Sequence, residues 1–355
     1  MKKKSKYNVA VVGVGVVGIE MLRVLKERNF PIGGLKVLAR SSRDIFVNGI
    51  NYHVDAITPE AFEGVDIALF AGTEGEKGAA VTYAAEAVKR GAIVIDNGAD
   101  FRMEHDVPLV VPEVNPKDVK KAKKRGIIAN PNCSTIQMVV ALNPIHKMSR
   151  IKRVIVSTYQ AASGAGSKAV DELFSQTNEI SSRRQKPEDG SQKNLSSVLC
   201  SLPSERVLPQ QIAFNVFPHI GGFAKDDFTS EEWKMVNETR KIMHSEKILV
   251  SATTARVPVK TGHSESIYIE TKKPLDINEV KKVLSLSPGI KVVDDVKNSV
   301  YPLPIGAEGK DDVFVGRIRK DPYNEKGLWL WVVADNLRKG ATTNAVQIAE
   351  LLVSK

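Results

Sequence analysis

A glycine-rich turn near the start of the chain is the feature that most restricts its fold. The apolar run at residues 7–12 predicts a buried strand, and residues 19–28 have the pattern of a helix. Between them stand Gly13, Val14, Gly15, Val16, Val17 and Gly18, the spacing G-x-G-x-x-G. In a strand-turn-helix unit, this spacing lets the backbone approach a pyrophosphate at the helix N-terminus. The turn therefore predicts dinucleotide binding.

Strands and helices alternate through the first part of the chain. Helical segments are predicted at about 77–90 and 117–125, and apolar strands at residues 35–39, 65–71, 92–96 and 127–129. Such alternation with short links, including a turn at 72–75, is typical of an α/β fold with a doubly wound parallel sheet. We predict a Rossmann-type nucleotide domain.

The pattern changes after Arg150, where strands recur with fewer helices between them. They are predicted at residues 151–159, 248–254, 265–270, 313–318 and 328–333. This mixture predicts a second, α+β domain built on a mixed sheet, with catalytic and dimerisation roles. Because 355 residues exceed what one core usually holds, we place the nucleotide domain at 1–132 plus 336–355 and the second domain at 133–335.

Two segments of the second half receive separate interpretations. The polar stretch at residues 181–197 is predicted to be a long excursion or a subunit-contact segment. A last helix is predicted to run to about Val353 and to pack back on the first domain.

Charge and composition narrow the class of partner. The net charge of +10 is spread along the chain, apart from a basic run at residues 120–125 that we interpret as a solvated helix face. We therefore expect anionic metabolites rather than nucleic acid as partners. No apolar stretch approaches the roughly 18 residues of a membrane span, and the basic N-terminus lacks a signal-peptide cleavage site. With two cysteines, a reducing cytoplasm is the expected location.

The second strand ends where the ribose of a bound dinucleotide is expected. NAD-selective sites tend to carry a carboxylate there. This chain instead has Arg40, followed by Ser41 and Ser42. A guanidinium with neighbouring hydroxyl groups suits a 2′-phosphate, so we predict NADP rather than NAD. The alternative is an ordinary basic loop without a role in cofactor binding.

Cys133 stands at another strand-to-helix turn. Residues 127–129 predict a strand, Asn130 and Pro131 break it, and helical spacing restarts at Ile136. Free backbone N–H groups and the positive end of the helix dipole gather at such a turn. We therefore expect a lowered thiol pKa and a role as nucleophile. The alternative is the commoner role of a free cysteine, a small buried apolar side chain.

A reactive thiol and a bound nicotinamide together indicate one class of reaction. The thiol adds to an aldehyde, hydride transfer leaves a thioester, and the reverse reaction begins from an activated acyl group. This chemistry needs a general base, and we favour His263 among six histidines, although most histidines are structural. His263 follows Gly262 in a loop between two predicted strands, with Arg256 seven residues earlier. We expect this loop to direct both side chains into one cleft.

Five separated motifs together resemble the bacterial aspartate-β-semialdehyde dehydrogenase family. They are A-N-P-N-C-S-T from residue 129, S-T-Y-Q-A-A-S-G-A-G from 157, E-E-W-K from 231, R-V-P to G-H-S-E over 256–265, and N-L-R-K-G-A from 336. The resemblance implies a reversible, NADP-dependent, phosphate-requiring conversion between 4-aspartyl phosphate and L-aspartate 4-semialdehyde. The product feeds lysine (through diaminopimelate), threonine, methionine and isoleucine biosynthesis. The resemblance also implies a homodimer or homotetramer, with contacts mainly through the second sheet, and no metal ion.

The resemblance implies a role for each matching position. Cys133 matches the nucleophile that holds the acyl-thioester, His263 the acid/base group, and Gln160 the residue that orients the substrate. Arg256 matches the clamp on the substrate α-carboxylate, a geometry that a guanidinium suits. Glu231 matches the residue that receives the amino group.

The phosphate and cofactor positions complete the implied site. Arg102 and Lys234 match the phosphate-binding positions, although Glu231 and Lys234 have the alternative of a helix-surface ion pair. The cofactor positions are matched by Val14 to Val17 in the glycine turn and by Arg40, Ser41, Ser163, Gly164 and Asn336.

Two positions depart from the family pattern. The glycine turn is one residue shorter than the usual G-x-x-G-x-x-G, so we expect shifted pyrophosphate contacts. Asp100 stands two residues before Arg102, where a small residue is commoner, and a pair between them is expected to weaken phosphate binding by competition. Cys200 matches no active-site position, and we interpret it as structural.

Three alternatives compete with this interpretation. N-acetyl-γ-glutamyl-phosphate reductase has a similar plan, but Arg256 and the Glu231–Lys234 pair favour a substrate with a free amine and carboxylate. Glyceraldehyde-3-phosphate dehydrogenase shares the chemistry in a different cysteine context. A catalytically inactive nucleotide-binding paralogue is disfavoured because Cys133, Gln160 and His263 are all present.

Overall fold

The computed structural model describes residues 4–71, 78–184 and 206–354, and these residues contain two separate β-sheets. The first sheet has seven strands in the order β3-β4-β2-β1-β5-β6-β7. They are β1 (Tyr7–Val12), β2 (Ile32–Ala39), β3 (Arg43–Val47), β4 (Ile50–Ala56), β5 (Ile67–Phe70), β6 (Ile93–Asp96) and β7 (Ile127–Ala129). All neighbouring strands are parallel except β3 and β4. The predicted doubly wound sheet is confirmed.

The hairpin of β3 and β4 at the edge of this sheet was not predicted from the sequence. Most residues of these two strands are exposed or half-buried, although Ile45 to Val47 are apolar, and Asn48 and Gly49, both with positive φ, form the turn between the strands. An edge strand needs little burial, because its hydrogen bonds to the neighbouring strand supply most of its order. The predicted helix at 117–125 is instead a 3₁₀ helix, Pro116–Lys123.

The second sheet has six strands in the order β11-β12-β13-β10-β8-β9, with both parallel and antiparallel neighbours. Its strands are β8 (Ile151–Gln160), β9 (Leu249–Arg256), β10 (His263–Thr271), β11 (Ile290–Val292), β12 (Val313–Lys320) and β13 (Gly327–Ala334). The predicted mixed sheet is confirmed.

Eight α-helices connect and cover the sheets in the described part of the chain. They are α1 (Val16–Glu27), α2 (Ala79–Lys89), α3 (Cys133–Met148), α4 (Ser167–Arg184), α5 (Ser230–Ile242), α6 (Ile277–Ser285), α7 (Pro304–Ala307) and α8 (Thr343–Val353). The last helix packs in the same buried cluster as β1 and α1, as the sequence predicted. Among the described helices, none has the length and apolar content needed to cross a membrane.

Helix α3 is the central element of the core. Its residues are buried along almost the whole length, and its apolar side chains share one cluster with both sheets. A helix that is buried all round shows no amphipathic stripe, because each of its faces meets protein. The core therefore holds Cys133, the first residue of α3, between the two sheets.

Three sequence interpretations fall outside the described residues. The turn at 72–75, Cys200 and residues 185–197 of the polar segment belong to this group. The first residues of that polar segment, up to Arg184, form the end of α4.

Candidate active site

The predicted strand-to-helix turn places Cys133 at the N-terminus of α3. Asn132 is the N-cap residue, and its backbone N–H donates to Glu238 Oε2 at 2.8 Å. Cys133 is half-buried, and its thiol lies 3.9 Å from Asn132 Oδ1. The backbone at Gly340 approaches so closely that a Cβ atom there would lie 2.9 Å from the Cβ of Cys133. Glycine is therefore required beside the cysteine.

The expected low pKa of the Cys133 thiol is wrong for the ligand-free structure. Burial raises the pKa of the thiol to about 12, and the negative charge of Glu231 raises it further. Arg102 and the backbone N–H of Ser134 lower the pKa by less. Burial therefore raises the pKa of the thiol more than the helix N-terminus lowers it. The thiol needs a proton acceptor or a bound ligand to become nucleophilic.

We expect iodoacetamide to alkylate Cys133 slowly at neutral pH and faster as the pH rises towards 12, because only the thiolate reacts. Glu231→Gln removes a charge that raises the pKa of the thiol, so its alkylation rate should exceed that of the wild type at each pH. Mass spectrometry in a Cys200→Ser background measures Cys133 alone. A wild-type rate that levels off below about pH 8 would contradict the raised pKa.

A buried carboxylate, Glu231, organises the polar groups beside the thiol. Glu231 Oε1 accepts hydrogen bonds from Asn132 Nδ2 at 2.8 Å and from Gln160 Nε2 at 3.0 Å. Gln160 Nε2 also donates to Ser134 Oγ at 2.8 Å. Lys234 Nζ lies 3.9 Å from Glu231 Oε2. Glu231 and Lys234 thus form the ion pair of the alternative interpretation, but the side chain of Glu231 is buried and does not lie on the helix surface.

The backbone N–H and C=O groups of Ala161 hold His263 and Arg256 close together. The N–H donates to His263 Nδ1 at 3.1 Å, and the carbonyl oxygen accepts from Arg256 Nη1 at 2.7 Å. A Cβ atom on Gly164 would lie 3.0 Å from both Arg256 Nη1 and His263 Cε1. The strand register places Arg256 next to Ala161, because Gln160 at the end of β8 pairs with Arg256 at the end of β9.

The hydrogen bond from Ala161 selects one form of the His263 ring. Because Nδ1 accepts a hydrogen bond from the Ala161 N–H, the neutral ring carries its own proton on Nε2. Burial and the charge of Arg256 hold the pKa of His263 well below its ordinary value, so the ring is neutral near pH 7. His263 therefore starts as a donor at Nε2. Direct acceptance of the thiol proton at Nε2 would need the other tautomer, which loses the bond to Ala161.

Arg102 lies beside the turn that precedes α3. Its Nε donates to the carbonyl of Asn130 at 3.0 Å, and its Nη1 lies 3.2 Å from Glu238 Oε1. Burial raises the pKa of Glu238, and the charge of Arg102 opposes this shift. Glu238 was not predicted as a site residue. The sequence could have indicated Glu238, because residues 231, 234 and 238 share one face of a helix.

The glycine turn has the geometry expected of a dinucleotide cradle. Gly13 has φ +99°, and α1 begins at Val16 with no side chain capping its first N–H groups. A Cβ atom on Gly15 would meet no atom of the described residues within 4 Å, so these residues leave open space beside Gly15 at the start of α1. Arg40 and Ser41 follow β2 on the surface. These residues fit a pyrophosphate and an adenosine ribose.

The remaining cofactor candidates lie beside His263 instead. Ser163 Oγ and the side chain of Asn336 exchange hydrogen bonds of 3.0–3.1 Å, and Asn336 Oδ1 accepts from the N–H of Gly262 at 2.9 Å. The structure thus brings Cys133, Gln160, Glu231, Arg256 and His263 into one cluster with Ser163, Gly164 and Asn336 nearby, and it places the glycine turn with Arg40 and Ser41 in a second group.

Comparison with known proteins decides the family. The family model for the semialdehyde dehydrogenase NAD-binding domain matches residues 8–122, and the model for the semialdehyde dehydrogenase dimerisation domain matches residues 142–339. Aspartate-semialdehyde dehydrogenase from Aquifex aeolicus is 54% identical over 98% of both chains. The chain belongs to the aspartate-semialdehyde dehydrogenase family. The Bacillus subtilis member is 48% identical over 97% of both chains.

Solved structures of this family have the same fold. Aspartate-semialdehyde dehydrogenase II from Vibrio cholerae, complexed with ASA, is 43% identical and covers 99% of both chains with a TM-score of 0.89. The chain is thus an oxidoreductase that interconverts 4-aspartyl phosphate and L-aspartate 4-semialdehyde, in the biosynthesis of lysine, threonine, methionine and isoleucine. The family decides against the alternatives of an N-acetyl-γ-glutamyl-phosphate reductase and an inactive paralogue.

Proposed function

We propose that Cys133 carries the acyl group of this reaction as a thioester and that NADPH is the cofactor. The observation that supports it is the cluster at the α3 N-terminus, where buried Glu231, Gln160 and Asn132 form a hydrogen-bonded group beside the thiol. A carboxylate, an amide and the nearby guanidinium of Arg256 complement an amino acid with both its ammonium and carboxylate groups. An acetylated amine would carry no positive charge for the carboxylate of Glu231 to bind.

Each residue has a defined part in the proposed reaction. The sulfur of Cys133 bonds to the acyl carbon of 4-aspartyl phosphate as its proton passes to Nε2 of His263. The carbon–oxygen bond to phosphate breaks, and Arg102 with Lys234 holds the leaving phosphate. Arg256 binds the α-carboxylate, and Glu231 takes the α-ammonium group. The bound nicotinamide supplies the hydride in the reductive direction.

His263 acts on the oxygen of the reacting carbon. Its Nε2–H donates to this oxygen as negative charge develops there, which a preorganised donor in a buried site stabilises. The ring is the proposed acid/base group in its other tautomer: after giving up the bond to Ala161, Nε2 takes the thiol proton as the thioester forms and returns it when the carbon–sulfur bond breaks. Gln160, fixed by Ser134 and Glu231, orients the substrate next to the sulfur.

The proposal is tested by following NADP⁺ reduction with L-aspartate 4-semialdehyde in the presence and absence of inorganic phosphate. We expect turnover that requires phosphate, together with a covalent acyl adduct on Cys133 detectable by mass spectrometry when 4-aspartyl phosphate is added without cofactor. Turnover without phosphate, or an adduct on another residue, would contradict the proposed mechanism.

NADP specificity is assigned to Arg40. We expect Arg40→Ala to raise the KM for NADPH by roughly 10–100-fold, the effect of losing a charge-assisted hydrogen bond, and to leave the KM for NADH almost unchanged. Arg150→Ala, which removes an exposed arginine from another surface, serves as the control. Equal changes for the two cofactors, or a lower KM for NADH in the wild type, would refute the assignment.

The outer face of the second sheet is proposed as the homodimer interface. Ile155 and Tyr159 of β8 are exposed by 43% and 36%, and Tyr159 contacts the ring of Trp331 on β13. An exposed apolar sheet face of this kind is typical of a protein interface. We expect Ile155→Asp to shift the wild-type dimer to monomer in sedimentation velocity. A wild-type homotetramer would show that a second surface also takes part.

The domain limits and the location remain proposals. We propose the nucleotide domain at 1–132 plus 336–355 and the catalytic domain at 133–335, supported by the division of strands between the two sheets. A cytoplasmic location is proposed because the mechanism needs a reduced Cys133. The pair between Asp100 and Arg102 also stays a prediction, and an unchanged phosphate KM in Asp100→Ala would remove it.

A further inference from the structure

Glu265 is a completely buried carboxyl group that the proposed reaction does not use. It lies on β10 two residues after His263, so both side chains leave the same face of the strand. Ile267 and Ile269 continue this face and belong to the core cluster that contains α3. Glu265 therefore points into the layer between the sheet and the helix that carries Cys133.

Gln137 is the polar neighbour of Glu265 in this layer. It lies four residues after Cys133, so it is on the same face of α3 one turn further along. Its Nε2 donates to the backbone carbonyl of His263 at 3.4 Å. Within the described part of the chain, Gln137 Oε1 and both carboxyl oxygens of Glu265 have no hydrogen-bond partner of standard geometry.

A proton on Glu265 gives hydrogen-bond partners to two of these three atoms, the protonated oxygen and Gln137 Oε1. An ionised carboxylate would face the negative charge of Glu231, and the hydrogen bond with the side chain of Gln137, which favours the ionised form, lowers the pKa by less than burial raises it. Burial accordingly raises the pKa of Glu265 well above its ordinary value. A protonated carboxyl group has an O–H to donate, and Gln137 Oε1 is the free acceptor beside it.

We propose that Glu265 is a positioning residue that remains a neutral acid and donates to Gln137, which in turn donates to the backbone of His263. The bridge joins the helix of the nucleophile to the strand of the imidazole, and it thereby sets the separation of sulfur and Nε2. This inference rests on the proposed roles of Cys133 and His263. A displacement of about 1 Å between reacting groups lowers rates by as much as 100-fold.

Three variants separate positioning from packing. Glu265→Gln keeps a neutral side chain with N–H donors, so we expect its kcat to stay within about threefold of the wild type. Glu265→Leu keeps most of the volume and loses the bridge, so we expect a kcat about 10–100-fold lower at similar KM. Its thermal stability should equal or exceed that of the wild type, because a buried polar group is gone. Glu265→Ala controls for the loss of volume.

The outcomes are distinguishable. A Leu variant with wild-type kcat would overturn the positioning role, and a Gln variant as slow as the Leu variant would show that the carboxyl group itself is needed. If the Leu variant fails to fold, the infrared difference spectrum between wild type and Glu265→Gln still decides the protonation state. A protonated-carboxyl band at neutral pH supports the proposal, and a carboxylate band refutes it. Absence of wild-type turnover would instead count against the proposed function.

Discussion

We expect Cys133→Ala to lower kcat by roughly 10⁴-fold or more in both directions of the reaction, the size of loss seen when a covalent nucleophile is removed. Without the sulfur no bond forms to the acyl carbon, and no other described cysteine lies in the site. The substitution should leave the fold intact. Alanine keeps the Cβ atom that packs against Gly340, and the Asn132 and Ser134 bonds to Glu231 do not involve the sulfur.

The measurement is NADP⁺ reduction with saturating L-aspartate 4-semialdehyde and phosphate, together with NADPH binding by fluorescence. We expect the variant to bind NADPH with the affinity of the wild type, since the glycine turn is distant in sequence and belongs to the other group of site residues. Cys200→Ser is the matched control and should keep full activity. Turnover above about 1% of the wild type in Cys133→Ala would remove the thioester from the mechanism.

The largest effect on stability is expected from Lys339→Met. The ammonium group of Lys339 is fully buried and donates to both oxygens of Glu113, at 2.8 and 2.7 Å, and also to Asn344 and Gln347. Burial lowers the pKa of Lys339, and Glu113 opposes this shift. Methionine fills the space but leaves the buried carboxylate of Glu113 without its cation, which costs about 3–5 kcal/mol.

Urea unfolding followed by circular dichroism gives the change in the free energy of unfolding. The double variant Lys339→Met with Glu113→Gln is the control, because it removes both charges and should recover much of the loss. Since Lys339 precedes Gly340, which touches Cys133, we also expect a lower kcat in the single variant. A loss below about 1 kcal/mol in the single variant would show that the pair contributes little.

Local patterns were sufficient for the fold class and for the position of the nucleophile. The apolar strand at 7–12, the glycine spacing and the break at Pro131 act over a few residues, so β1, α1 and the start of α3 follow directly from them. The hairpin at residues 43–56 was missed although the Asn48-Gly49 pair between apolar residues is a local hairpin signal. The role of Glu231 rested on a family motif, and only its burial separates a hydrogen-bonded carboxylate in the site from a surface ion pair.

The sequence by itself determined most strands of the two sheets, where the chain turns at Cys133, and which residues are chemically able to act, because these properties depend on neighbouring residues. The tertiary structure alone decided the electrostatics of the site. It raised the pKa of the thiol despite the helix N-terminus, placed the proton of His263 on Nε2 through the hydrogen bond from Ala161, and buried Glu265 on the same face of β10 as His263. Desolvation and hydrogen bonding depend on groups brought together from distant parts of the chain, which no local pattern contains.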